Sequence, residues 1–163
     1  AIHFSQDEFE ERVIGILVRS GVELSSIEFE LTEGVLIKSF DKTIEKMTAL
    51  SNMGIRFSID DFGTGYSSLQ YLHRLPINTL KIDQVFVKDL VSDKGSQAIT
   101  KTIIDMGHNL GLELIAEGVE SIGQRNFLRE HGCLLYQGFL FSQPLTESDF
   151  REFLEHLPDI GGY

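Results

Sequence analysis

Residues 56–72 read RFSIDDFGTGYSSLQYL and place two adjacent aspartates, Asp60 and Asp61, at the end of an alternating run of side chains. Apolar and polar residues alternate before this pair, as in a β-strand with two different faces. Gly63 and Gly65 follow and permit a sharp turn near a ligand or a partner. Because neighbouring like charges raise each other's pKa, the paired carboxylates predict a compensating cation.

The same alternation returns in four other short segments. They are IEFELT (27–32), TLKID (79–83), LELIAE (112–117) and CLLYQ (133–137). Helical patterns separate the strands. We predict helices at about 7–20, 41–53, 96–110 and 147–156. A further short helix ends before Pro76, and another begins with the capping pair Ser121 and Gln124. Strands that alternate with helices predict a parallel sheet covered by helices.

The two faces of these strands distinguish a barrel from an open sheet. In the first strand Phe29 and Leu31 share one face, whereas Glu28 and Glu30 share the other. Four of the five strands carry charge on one face in this way. A doubly wound sheet is covered on both faces and would be apolar on both. We therefore predict the α/β class and a TIM-type (β/α) barrel, incomplete in this chain, with about five parallel strands and covering helices.

Five polar residues have inward parity and lie near the carboxyl ends of their strands. They are Glu30, Asp60, Lys81, Glu117 and Gln137. In a TIM-type barrel this end carries the active site. The alternative for any one of them is surface solvation, or an interior ion pair of the kind that Glu28 could form with Arg56.

Carboxylates in such numbers favour a site for hard cations. Oxygen ligands suit Mg²⁺ or Mn²⁺, and an aspartate shared by two ions about 4 Å apart is a common device for cleaving phosphate esters. A rival interpretation is an aldolase-like barrel in which Lys81 forms a Schiff base. The excess of carboxylates disfavours it, because nearby anions keep a lysine protonated.

Composition limits the compartment and the partners. Fourteen basic residues against 25 acidic ones give a net charge of −11, which disfavours a polymeric nucleic acid as partner. The one cysteine, Cys133, indicates a reducing compartment, and its strand parity favours a small core residue. No apolar run reaches the roughly 18 residues of a membrane span, and no signal peptide is visible. We predict a cytoplasmic location, although other domains of a parent protein could attach it to a membrane.

Five motifs, in order along the chain, resemble the EAL domain family. They are ELTE (30–33), DDFGTGYSSL (60–69), LKID (80–83), AEGVE (116–120) and YQGFLFSQPL (136–145). Members of that family are bacterial phosphodiesterases that linearise the second messenger cyclic di-GMP. The resemblance implies a metal-dependent hydrolase that binds cyclic di-GMP, uses Mg²⁺ or Mn²⁺ in a two-metal site, and acts in bacterial signalling and biofilm control.

The resemblance also implies roles for individual residues. Glu30 and Asp60 would bind the first metal, Asp60 would bridge to the second, and Asp61 and Glu117 would complete the second site. Lys81 would orient the attacking water. Gln137 and Asp83 would position water or support the metal ligands, and Glu120 would lie beside the substrate. Glu33 would stabilise the loop that contains Gly63, Thr64 and Gly65.

Two expected features of the family do not occur in residues 1–163. The Glu-Ala-Leu segment on an early strand, and a later strand with an asparagine ligand, have no counterpart here. A complete (β/α)₈ barrel needs about 250 residues. The expectation is therefore a partial EAL domain over 1–163, without the strands that carry those two motifs.

Two functions remain open at this point. The chain is either part of a catalytic phosphodiesterase, or a partial domain that binds cyclic di-GMP or a protein without hydrolysis. We expect the former in the complete parent domain, with residues 1–163 alone inactive. Two open sheet edges predict a homodimer or a domain-swapped oligomer.

Overall fold

The structure, a computed structural model, describes residues 9–34, 40–63 and 72–156. Five strands occur in these ranges: β1 Glu28–Thr32, β2 Arg56–Phe62, β3 Thr79–Ile82, β4 Glu113–Ala116 and β5 Leu135–Tyr136. Six α-helices lie wholly within the same ranges: α1 Phe9–Ser20, α2 Phe40–Asn52, α3 Gln84–Val87, α4 Lys94–Asn109, α5 Ile122–Glu130 and α6 Glu147–Glu155. A 3₁₀ turn at Leu24–Ser26 precedes β1.

The strands form one parallel sheet in the order β1-β2-β3-β4-β5, so that each strand pairs with the next one along the chain. This arrangement confirms the predicted α/β class with five parallel strands. Within the described residues the sheet is not closed, and β1 and β5 are its two edges.

The apolar face of the sheet packs against the helices, as the alternation predicts. Phe57 and Ile59 of β2 are buried, as are Leu80 and Ile82 of β3. They belong to one hydrophobic cluster with side chains from the helices, among them Met47, Leu50 and Ile104. Burial of this face leaves the opposite side chains of the strands to converge on each other.

Local capping explains where the helices begin. Asp93 accepts a hydrogen bond from Ser96 N at 2.6 Å, so α4 begins at Lys94 and not at the predicted position near 96. The predicted capping box of Ser121 and Gln124 is present at α5, and Thr146 caps α6. For the first helix the sequence also predicts a capping pair, Ser5 and Glu8, and both residues lie outside the described ranges. Among the helices that the structure describes, none is both long enough and apolar enough to cross a bilayer.

The sequence did not predict the short helix α3 or the end of β2. Asp83 caps α3 by accepting a hydrogen bond from Val85 N at 2.6 Å. Strand β2 continues past Asp60 to Phe62, with a register shift after Ile59. Asp61 lies within this shift at φ 54, in the left-handed region. The bulge aims the Asp61 side chain independently of the strand's alternation.

Candidate metal and active site

The ammonium group of Lys81 lies among three carboxylates at the carboxyl ends of the strands. Its Nζ is 2.7 Å from Glu117 Oε1, 2.9 Å from Asp60 Oδ1 and 3.0 Å from Glu30 Oε1. These residues come from β1, β2, β3 and the residue after β4. The structure therefore brings together four of the five side chains for which the sequence predicted convergence.

The environment of Lys81 keeps its amine protonated. Burial alone would lower the pKa of Lys81, but hydrogen bonds to Glu117, Asp60 and Glu30 outweigh burial and raise the pKa above its usual value. A Schiff-base lysine needs a neutral amine to attack a carbonyl carbon. The geometry thus disfavours the aldolase-like interpretation and favours a fixed positive charge.

Three carboxylates form a group that fits a hard cation. Asp60, Asp61 and Glu117 each offer an oxygen, and these atoms lie within 4.8 Å of one another. The pKa of Asp61 is raised, first by a side-chain hydrogen bond with Asp83, then by burial and by the charge of Asp60. Such crowding of anions suits Mg²⁺ or Mn²⁺, which prefer several oxygen ligands.

Gln137 supports Glu117 from the side of β5. Its Nε2 donates a hydrogen bond of 2.8 Å to Glu117 Oε1, the same oxygen that faces Lys81. The contact places Gln137 beside the carboxylate group, although the sequence had no means of choosing its partner. Gln137 is thus the fifth of the converging residues.

A cavity of about 760 Å³ opens next to Glu117. Glu120 and Gln137 line it together with aromatic side chains, including Tyr136 and Phe141, whose rings stack at 5.4 Å between centroids. Pockets of this size typically hold small organic ligands. The family resemblance implied a place beside the substrate for Glu120, but the sequence did not predict the aromatic side chains that line the cavity with it.

Glu33 holds the turn that follows the paired aspartates. Its Oε1 accepts a hydrogen bond of 3.0 Å from Gly63 N, and the side chain is almost fully buried. Gly63 has φ 97, and a Cβ there would lie 2.8 Å from Cε2 of Phe86. Only glycine suits this position without strain. Thr64 and Gly65, also predicted to support the site, lie outside the described residues.

An ion-pair network occupies the opposite, amino-terminal end of the strands. Arg56 contacts Glu28 at 3.1 Å and Glu113 at 2.8 Å. The alternative interpretation is partly correct for this layer, because Glu28 and Arg56 do form an ion pair, but their side chains are 31% and 42% exposed and the pair is not interior. The charged side chains on the polar face of the sheet thus form two groups. The carboxylates around Lys81 lie at the carboxyl ends of the strands, and the ion pairs of Arg56 lie at the amino ends.

Cys133 is a core residue, as predicted. It is fully buried, and burial raises the pKa of its thiol to about 11. A reactive cysteine needs a depressed pKa and access to solvent. Neither condition holds for Cys133.

The sequence missed two sets of contacts that organise the loop after β4. Gln124 was predicted only as a capping residue, yet its side chain also bonds to the backbone of Val87 and Lys88. Gly138, at φ 155, lies so close to Val119 that a Cβ would be 2.3 Å from its backbone nitrogen. No local sequence pattern predicts these contacts, because Gln124 and Gly138 are each far in sequence from the residues that they touch.

The family model of the EAL domain matches residues 1–144, and the chain belongs to this family. Among curated relatives, the cyclic di-GMP phosphodiesterase NbdA of Pseudomonas aeruginosa is 45% identical over 138 residues. That alignment covers 85% of this chain and 18% of NbdA. The chain thus spans about a fifth of the length of this relative.

Solved structures of EAL proteins share the fold. A cyclic di-GMP complex of the PaMucR phosphodiesterase superposes with a TM-score of 0.86 and 40% identity, covering 91% of this chain and 60% of that one. A manganese and cyclic di-GMP complex of Klebsiella pneumoniae BlrP1 gives 0.78 and 32%, covering 87% and 36%. The predicted family and fold class are confirmed.

Proposed function

We propose that this chain is the part of a metal-dependent phosphodiesterase domain that hydrolyses cyclic di-GMP to linear diguanylate. The observation that carries the proposal is the meeting of Asp60, Asp61 and Glu117, with carboxylate oxygens within 4.8 Å, beside the ammonium of Lys81. The relatives NbdA and PaMucR, which are phosphodiesterases by name, support the reaction and the substrate. The manganese complex of BlrP1 supports a divalent cation.

Asp60, Asp61 and Glu117 would hold Mg²⁺ or Mn²⁺ in this proposal, with Glu30 as a further ligand. When bound, the ions would supply an activated water and take up charge on the phosphoryl oxygens. Asp60 would bridge the two ions. The carboxylates of Asp60, Glu117 and Glu30 face Lys81 in the described structure, so their negative charge is already partly compensated.

Lys81 would orient the attacking water and stabilise negative charge on the phosphate. Its raised pKa keeps it cationic at physiological pH, so that it donates hydrogen bonds and does not accept a proton. Gln137 would hold Glu117 through its hydrogen bond of 2.8 Å, and Asp83 would lie beside Asp61 as a supporting group. Glu120 borders the 760 Å³ cavity, where a nucleobase of the substrate would lie against Tyr136 and Phe141.

We further propose that residues 1–163 alone form a partial EAL domain with weak metal binding and no measurable hydrolysis. The support is the open sheet, whose edges β1 and β5 have no further partner among the described strands. Leu134 and Leu135 are 65% and 45% exposed beside the β5 edge. An open edge with exposed leucines favours a homodimer or a domain-swapped oligomer. A cytoplasmic location, consistent with one buried free thiol, is part of the same proposal.

The test is a hybrid EAL domain in which residues 1–144 of this chain replace the matching segment of the PaMucR domain. The expected result is hydrolysis of cyclic di-GMP with Mn²⁺ and none with excess chelator. A folded hybrid that binds cyclic di-GMP but never hydrolyses it, beside an active PaMucR control, would identify a binding module instead.

A further inference from the structure

Gln124 directs both ends of its side-chain amide at the protein backbone. The side chain is nearly buried, and its Oε1 accepts hydrogen bonds from the N–H groups of Glu120 and Ser121, both at 2.8 Å. Its Nε2 donates to the carbonyl oxygens of Val87 and Lys88, both at 3.1 Å. A glutamine amide has two donor hydrogens and one acceptor oxygen, so this arrangement uses all of them.

The two backbone segments that Gln124 joins both lead to the carboxylate group. Residues 117–121 carry Glu117, which contacts Lys81, and Glu120, which lines the cavity. The segment that ends at Lys88 begins at Asp83, which caps α3 and lies close enough to Asp61 to raise the pKa of that carboxyl. Gln124 is therefore a direct link between the loops after β3 and β4.

Helix capping accounts for only part of this arrangement. Ser121 Oγ accepts a hydrogen bond from Gln124 N at 3.3 Å, and Gln124 Oε1 completes the capping box at Ser121 N. A capping box does not require the two bonds to Val87 and Lys88, nor the burial of the side chain. These extra contacts reach across to α3 and need a different explanation.

Other contacts fix the same loop, so Gln124 completes a rigid support. Val119 N donates to Gln137 O at 3.0 Å, and Leu140 N donates to Val119 O at 2.9 Å. A Cβ on Gly118 would lie 2.6 Å from Cβ of Gln84, the first residue of α3. These contacts hold Gly118 and Val119, whereas the N–H groups of Glu120 and Ser121 are held by Gln124.

We propose that Gln124 is a positioning residue of the cation site, which holds the loop with Glu117 and Glu120 in register with α3 and Asp83. The inference rests on the proposed function, because it assigns Gln124 a task in building that site. It acts through backbone atoms and touches neither substrate nor metal. Misplacement of a catalytic group by about 1 Å can cost on the order of 100-fold in rate, so such support matters.

The experiment compares three variants of the hybrid EAL domain, in which residues 1–144 of this chain replace the matching segment of the PaMucR domain, by hydrogen exchange with mass spectrometry during titration with Mn²⁺ into the millimolar range. Gln124→Leu removes all four bonds. Gln124→Glu keeps the acceptor for Glu120 and Ser121 but sets a carboxylate oxygen against two carbonyls. The matched control is Gln97→Leu, because Gln97 Nε2 donates to Leu90 O at 2.8 Å in the neighbouring segment, away from the carboxylates.

In Gln124→Leu we expect the amides of Glu120 and Ser121 to exchange at least 10-fold faster, and the Mn²⁺ concentration for half-maximal protection of 117–121 to rise at least 10-fold. Gln124→Glu should keep those amides protected and still raise the Mn²⁺ midpoint. Gln97→Leu should change the midpoint less than twofold. The glutamate variant decides the question should the leucine variant not fold.

A Mn²⁺ midpoint within twofold of the wild type in both Gln124 variants would overturn the proposal. Unchanged exchange of Glu120 and Ser121 in a folded Gln124→Leu chain would do the same. A hybrid EAL domain with unaltered Gln124 and no Mn²⁺ response would contradict the proposed function and, with it, the role in cation binding. The exchange rates would still report separately whether Gln124 holds the loop.

Discussion

Lys81 and Glu117 form the shortest contact in the carboxylate group, with 2.7 Å between Nζ and Oε1. The same oxygen of Glu117 accepts a hydrogen bond from Gln137, so the ammonium of Lys81 and the amide of Gln137 both fix its position. The Lys81 side chain is 7% exposed and that of Glu117 is 16% exposed, so solvent screens the pair little. The buried ammonium of Lys81 thus offsets part of the negative charge of Glu117, Asp60 and Glu30, which are the proposed metal ligands.

Replacement of that charge tests the role of Lys81. In the hybrid EAL domain we expect Lys81→Met to lower turnover of cyclic di-GMP by about 100-fold or more, the loss typical of one transition-state electrostatic contact. Affinity for the nucleotide should change less. The control is Lys101→Met, which removes a half-exposed ion pair with Asp105 on α4. A variant that kept its rate and lost only affinity would make Lys81 a substrate clamp.

Neutralisation of Arg56 separates the two charged layers of the sheet. Arg56→Gln breaks the contacts with Glu28 and Glu113, but its side chain is 42% exposed. Because solvent screens such pairs, the free energy of unfolding should fall by less than about 1 kcal/mol, with Mn²⁺ affinity unchanged. Denaturation by urea and a Mn²⁺ titration measure the two quantities. A large drop in Mn²⁺ affinity would mean that the layers are coupled.

The buried thiol predicts a pH effect of definite sign. The folded pKa of Cys133 is raised to about 11 from a usual value of 9.0, because burial disfavours the thiolate. Its contribution to stability is complete below the unfolded pKa and is lost as the pH rises through the folded one. Relative to Cys133→Ala, the wild type should lose about 1 kcal/mol of unfolding free energy between pH 8 and pH 10. Parallel stability curves for the two proteins would show that the thiol ionises freely in the folded state.

Strand alternation was sufficient to predict the sheet and the meeting of charged side chains at one end. The period of two assigns Glu30, Asp60 and Lys81 to the same face, and parallel pairing aligns the ends of their strands. The contact of Lys81 with Glu117 follows from this geometry. To predict that these side chains meet requires only the alternation within each strand and the rule that parallel strands point in the same direction.

Features that depend on tertiary contacts escaped prediction. The bulge at Asp61 arises from pairing with β3, and an aspartate in the left-handed region has no distinct sequence pattern. Helix α3 has only four residues, too few for a helical period to show. Gln124 donates a hydrogen bond to Val87 O, 37 positions away in the sequence. A local sequence pattern could therefore predict only its part in the capping box with Ser121.

The open sheet predicts the behaviour of residues 1–163 made alone. Because β1 and β5 lack further partners among the described strands, we expect oligomers or aggregates and no measurable hydrolysis of cyclic di-GMP. A phosphodiesterase assay with Mn²⁺, run beside light scattering on the same sample, measures both properties. A monodisperse and active monomer would refute two claims: that residues 1–163 alone are inactive, and that further strands are needed to close the sheet.

The bridging role of Asp60 is the central claim, and Mn²⁺ binding to the hybrid EAL domain tests it most directly. Electron paramagnetic resonance of free Mn²⁺ counts the bound ions in the wild type and in Asp60→Asn, which keeps the side-chain size but removes the charge. The account predicts two bound ions in the wild type, greatly weakened binding in the variant, and loss of cyclic di-GMP hydrolysis. Unchanged Mn²⁺ stoichiometry and undiminished turnover in Asp60→Asn would contradict it.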